Sequence, residues 1–178
     1  MEFLEYDGQQ LHWRNPRDGK GDASYAATSG LPGWQRPSEE CVADAGPTPQ
    51  GLYRVLLMID SNTAMDDGTG RCALKPAPRI QRIPRGIAAG ECEPYWANWG
   101  YNRVAFVAAN APTLNACAPR RGGFYLHDST KGYSHGCIEV ENGFFTRLYQ
   151  YVPVSTKKFL PLQVQYEQST TNGGTKVP

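Results

Sequence analysis

Glycine and proline interrupt this chain so often that many turns are favoured over long helices. There are 19 glycines and 14 prolines among 178 residues. Proline fixes φ and removes a backbone donor, while glycine supplies turn conformations, so the chain reads as short strands joined by turns. Residues 1–14 read as a hairpin: Phe3 and Tyr6 precede the turn dipeptide Asp7-Gly8, and Leu11 and Trp13 then alternate with polar neighbours. Tyr25 to Gly33 is a strand running into a Gly/Pro turn, and residues 34–50 are loop. Leu52 to Ile59 is almost continuously apolar and predicts a strand covered on both faces. Further strands are expected at Arg103–Ala108, Gly123–His127, and where Leu162, Val164 and Tyr166 alternate. One helix begins near Asn142, which can cap it, with Phe144, Phe145, Leu148 and Val152 on one face. The sum is a mainly β domain over residues 1–166, with one or two short helices. Residues 60–100 form a long loop-rich insertion carrying surface function, and 167–178 a flexible tail.

The charge balance narrows the partners. Lys+Arg number 18 and Asp+Glu 17, a net charge of +1, so neither nucleic acid nor an anionic membrane is expected as the main partner. No apolar run approaches the length of a membrane span, and the first residues lack the basic start and apolar middle of a signal peptide. Of five cysteines, Cys41, Cys72, Cys92 and Cys117 lie in turn-rich stretches, whereas Cys137 has a different setting. Two disulfides plus one free thiol would place the protein in an oxidising compartment; four reduced thiols are the alternative, and three pairings remain open. With no CxxC pair and no matching His/Cys spacing, neither a metal nor another cofactor is called for.

The chemistry concentrates in His127-Asp128-Ser129-Thr130-Lys131-Gly132-Tyr133-Ser134-His135-Gly136-Cys137-Ile138. A thiol attacks a carbonyl as thiolate, and a nearby imidazole takes its proton. Cys137 is the candidate nucleophile and His127, at the end of a strand ten positions upstream, the candidate base. Gly136 permits a tight turn whose amides face a developing oxyanion. The imidazole needs a third group, either the backbone carbonyl of Asp128 or a side chain in the loop. Ser134 either donates to substrate or caps the turn. His135, too near Cys137 to be an obvious base, shapes the pocket wall or binds a substrate carboxylate. Tyr133 and Arg121 are further candidates for substrate binding. The aromatics Tyr95, Trp96, Trp99 and Tyr101 form either a binding platform or a packing layer beneath the insertion.

Ser134-His135-Gly136-Cys137-Ile138, preceded by His127, resembles the active-site motif of L,D-transpeptidases of the YkuD type. The usual motif has a longer His–Cys gap and an Arg where Glu139 stands here. The shorter gap, with the segments Tyr25–Gly33 and Gly46–Val55, is similar to a compact branch of effectors delivered by type VI secretion. The resemblance touches residues from about 1 to 152, leaving the insertion uncovered. It implies a single-domain β-sandwich that acts on peptidoglycan stem tetrapeptides, cleaving or exchanging at the bond between diaminopimelate and D-Ala. It also implies delivery without a signal peptide into a target cell's periplasm, and a cognate immunity protein as partner. A housekeeping cross-linking transpeptidase and a non-catalytic peptidoglycan- or partner-binding module are the alternatives.

Overall fold

The computed structural model describes residues 1–178. Ten strands follow in order: β1 Phe3–Tyr6, β2 Gln10–Arg14, β3 Ala23–Ser29, β4 Gly51–Leu56, β5 Asn62–Thr63, β6 Gln81–Arg82, β7 Asn102–Ala108, β8 Phe124–His127, β9 Ile138–Val140 and β10 Phe159–Val164. Three helices join them: α1 Glu93–Trp96, α2 Ala111–Leu114 and α3 Asn142–Tyr151. The sheet runs β4-β10-β1-β2-β3-β9-β8-β7 and closes because β4 also pairs with β7; β6 and β5 extend from β7. The mainly β, single-domain expectation is met, the sheets curling into a closed, barrel-like form. Closure satisfies the edge strands that an open sheet would leave unpaired.

Period-2 alternation sets the inside. Leu4 and Tyr6, Leu11 and Trp13, Tyr53 and Val55, and Leu160, Leu162 and Val164 all point into one core. The apolar face of α3 packs into it: Trp13 meets Phe144 and Tyr151 with ring centroids 5.8 and 5.1 Å apart. Two local expectations are corrected. Strand β4 is covered on one face only, leaving Leu52 exposed, because a barrel has a single inner surface. Asn142 does not cap α3: it is the first helical residue, and its amide donates instead to Asp128 Oδ2 at 2.7 Å.

The insertion has its own small core of Ala64, Leu74, Ile83, Ala89 and Trp96, tied by a Cys72–Cys92 disulfide. The second disulfide joins Cys41 to Cys117, leaving Cys137 as the free thiol. The tail is not loose, contrary to expectation. Thr171 and Thr175 are buried, Ser29 N–H donates to the Thr171 carbonyl at 2.9 Å, and Thr175 Oγ1 donates to Glu139. The tail's threonines pair with polar groups buried on β3 and β9. No helix is long and apolar enough to cross a membrane.

Candidate active site

The inner face of β7, β8, β9 and β3 carries Val104, Leu126, Ile138 and Ala27 in the core. Alternation therefore sends the intervening residues to the outer face, where the strand register aligns Arg103, His127, Glu139 and Thr28 in one transverse row. None of the four is more than 2% exposed. A polar row is buried outside the barrel because the insertion, the loop 128–137 and the tail cover it.

Cys137 stands one residue before β9. β8 and β9 run parallel with Leu126 opposite Ile138, so Cys137 falls beside Tyr125, whose backbone N–H donates to Cys137 Sγ at 3.3 Å. His127 lies two residues beyond Tyr125 and therefore shares its face. Same-face diagonal neighbours on adjacent strands have backbones about 7–8 Å apart, which is the relation of Cys137 to His127.

The turn carrying the sulfur is held from below. Thr48 Oγ1 donates to the Gly136 carbonyl at 2.5 Å, and Ser29 Oγ donates to the Cys137 carbonyl at 2.8 Å. Ser134 also donates to the Cys137 carbonyl and accepts from the amides of Gly30 (3.1 Å) and Gly136 (3.3 Å). Because a trans peptide is planar, the N–H of Cys137 points opposite to the Gly136 carbonyl that Thr48 holds. That leaves the Cys137 amide, rather than the Gly136 amide, as the donor turned away from the buried hydroxyls. Gly136 itself has φ +131°, and a Cβ there would lie 2.4 Å from Arg121 Nη2. Only glycine fits this turn.

Electrostatics leave both partners neutral at rest. Burial, then the positive charges of Lys131 and Arg103, lower the His127 pKa to about 3, against an opposing hydrogen bond to the Trp99 backbone. Burial raises the Cys137 thiol to about 11, although the Tyr125 N–H and the charges of Arg103, Lys131 and Arg121 favour its thiolate.

Cys137 opens on a cleft of about 390 Å³ walled by Trp99, Phe124, His135, Arg120 and Arg121. His135 is exposed there, with Nδ1 2.9 Å from the Asp44 carbonyl. Arg121 lines the cleft but donates to the carbonyls of Glu40, Pro47 (2.7 Å), Gly46 (3.1 Å) and His135 (3.4 Å), so its guanidinium clamps backbone. Tyr133 lies outside the cleft wall, its ring 4.7 Å from Lys131 Nζ. Asp128 turns away from the imidazole: Oδ1 accepts from the amides of Tyr101 and Asn102 at 2.7 and 2.8 Å, which ties β8 to the end of the insertion. The loop side chain at the ring is Ser129, with Oγ 3.1 Å from His127 Nδ1.

Of the insertion aromatics, Trp96 is core and Trp99 belongs to the site, its ring 5.0 Å from Tyr125 and 5.5 Å from His127. Tyr95 and Tyr101 are exposed. Ser29, Thr48, Ser129 and Arg103 escaped the sequence reading of the site. The signal for two of them was present, since Ser29 and Thr48 lie in the two segments whose resemblance was noted. No cluster of three or more His, Cys, Asp or Glu side chains could hold a metal ion.

A barrel wall presenting a thiol beside a buried imidazole, at the floor of a cleft, is an arrangement suited to nucleophilic acyl transfer. The chain belongs to the YkuD family: the L,D-transpeptidase catalytic domain matches residues 5–164. No curated protein matches it. Among solved structures, that of the helical cell shape determining protein Pgp2 from Campylobacter jejuni, in a mutant form, is similar, with a TM-score of 0.46 and 14% identity. The match covers 97% of this chain and 50% of that one, so the chain spans about half the length of that protein.

Proposed function

We propose that the protein is a peptidoglycan-modifying cysteine enzyme that cleaves or exchanges the bond between the L-centre of diaminopimelate and the terminal D-Ala of stem tetrapeptides. Membership of the YkuD family supports the substrate class. The single observation that carries the chemistry is Cys137 at the cleft floor, diagonal on the same sheet face to His127.

His127 takes the thiol proton as the sulfur attacks the carbonyl carbon. The resulting oxyanion is met by the Cys137 amide, a contact worth about 3 kcal/mol when such a donor is removed from other enzymes. Collapse breaks the C–N bond, and the departing D-Ala nitrogen takes the proton back from His127. Water attacking the thioester gives carboxypeptidase action, while an amine gives transfer, and sulfur leaves with its proton restored. The positive charges of Arg103, Lys131 and Arg121 favour thiolate as the proton moves.

We further infer an antibacterial effector acting in a target cell's periplasm, delivered by type VI secretion and opposed in its producer by an immunity protein. The two disulfides support an oxidising site of action, and the short His–Cys gap supports the effector branch. Mass spectrometry of tetrapeptide muropeptides incubated with wild type and Cys137→Ala tests the chemistry. Wild type is expected to release D-Ala and the variant to release none; equal turnover would refute the mechanism. Toxicity on periplasmic but not cytoplasmic expression, lost in Cys137→Ala, tests the effector role, and a harmless periplasmic protein that builds cross-links would point to housekeeping.

A further inference from the structure

Glu139 is completely buried, yet nothing about a substrate explains it. Its Oε1 accepts from the Gly132 amide at 2.8 Å and from Thr175 Oγ1 at 2.5 Å. Its Oε2 accepts from the Lys131 amide at 3.2 Å and from Ser129 Oγ. A backbone N–H can only donate, so each carboxylate oxygen is already committed as an acceptor. The single hydroxyl hydrogen of Ser129 therefore goes to Glu139, and the Ser129 oxygen is left to receive a proton from its other neighbour. That neighbour is His127 Nδ1, at 3.1 Å, with the Trp99 backbone carbonyl as the competing acceptor at the ring.

We propose that Glu139 is a positioning residue for His127, acting through Ser129 as a hydroxyl bridge. The relay holds the neutral ring as the Nδ1–H tautomer and leaves the lone pair on Nε2 to take the thiol proton. When the ring becomes imidazolium, the bridge brings a carboxylate into contact with a site whose other charges, Arg103 and Lys131, are positive. The strand register makes this possible, because His127 and Glu139 are directly opposite on β8 and β9 and Ser129 folds back over the pair. The tail supports the carboxylate through Thr175, so the C-terminal segment is part of the base's mounting.

This rests on the reading of His127 as the base, and two measurements separate the ideas. Nitrogen-15 spectra of the imidazole in wild-type protein read the tautomer directly, and only three histidines need assignment. A protonated Nδ1 and a bare Nε2 are expected; a ring protonated on Nε2 would overturn the relay, whatever the enzyme turns over. Ser129→Ala removes the bridge while leaving Glu139 its other three donors. It is expected to lower kcat on tetrapeptide muropeptide about 100-fold with KM unchanged, and Ser129→Thr, which keeps the hydroxyl, to restore most of it. A wild-type kcat in Ser129→Ala would overturn the proposal. Absence of turnover in wild type would sink the peptidoglycan reading instead, and the ring-nitrogen spectrum would still decide the relay.

Discussion

Trp99, from the insertion, packs edge-to-face on His127 of β8 with ring centroids 5.5 Å apart. The same indole meets Tyr125 and lies under the Arg103 guanidinium, 4.6 Å from its ring. The insertion thus covers the imidazole and makes it one of the most deeply buried ionisable groups in the molecule.

Removing that cover should restore water to the ring. In Trp99→Ala the His127 midpoint is expected to rise from about 3 toward its ordinary value of 6.5, because burial is the largest cause of the depression. An imidazole NMR titration reads the shift, and a midpoint unmoved by the substitution would assign the depression to Lys131 and Arg103 instead. Losing the indole should also lower kcat/KM about tenfold through weaker ordering of the cleft wall.

Stability should fall in acid through the same residue. An unfolded chain protonates His127 below 6.5, while the folded chain refuses the proton until about 3. The unfolded state therefore binds more protons between those values, and folding stability drops as pH falls across that window, by on the order of 4 kcal/mol for a fully buried ring. Thermal melts at pH 7 and pH 4 should show this, and His127→Gln should flatten the difference by a comparable amount. An unchanged slope in the variant would show the burial is not that costly.

Cys137 should be sluggish toward alkylation. Its thiol is pushed up to about 11 by burial, so little thiolate exists at pH 7–8 in the substrate-free protein. The iodoacetamide rate is expected to keep rising past pH 9, with a single thiol modified. A plateau near pH 7 would mean that a resting thiolate–imidazolium pair exists after all. As an acid with a raised pKa, the same group should make the fold less stable above pH 9, where the unfolded thiol ionises first.

The disulfides should matter for folding as well as compartment. Cys41–Cys117 spans 76 residues and Cys72–Cys92 spans 20. Loop-closure entropy assigns them roughly 4 and 3 kcal/mol as upper values. Cys41→Ser/Cys117→Ser should lower Tm by about 10 °C. It should also loosen Arg121, which donates to the carbonyl of Glu40, next to Cys41. A calorimetric Tm within a degree of wild type would show that the bridge is dispensable.

Much of the local structure could be read from residue order. The Asp7-Gly8 hairpin, the alternating strands and the apolar face of α3 are short-range patterns, and each appears where its spacing puts it. Cys137 and His127 stand out as candidates because a thiol and an imidazole lie in one glycine-containing stretch. The roles of Ser29 and Thr48 were not legible, although both lie in segments that resemble the family, since a hydroxyl looks the same in sequence whether it faces water or a buried carbonyl. Asn142 was misassigned for a related reason: capping α3 was a sensible local role, and a hydrogen bond to the Asp128 carboxylate from fourteen residues away won. The tail looked loose because its polar residues carry no apolar period, yet they satisfy buried groups on β3 and β9.

Residue order alone therefore decides the strand-rich class and singles out Cys137 and His127 as the candidate pair, because these depend on chain periodicity and chemical type within a few residues. Barrel closure, the cysteine pairing, the burial of the outer-face row and the turn of Glu139 toward Ser129 were decided only by the fold. Each depends on which strands lie side by side and what covers them, and burial, which sets the protonation of His127 and Cys137, belongs to the assembled surface rather than to any segment of the chain.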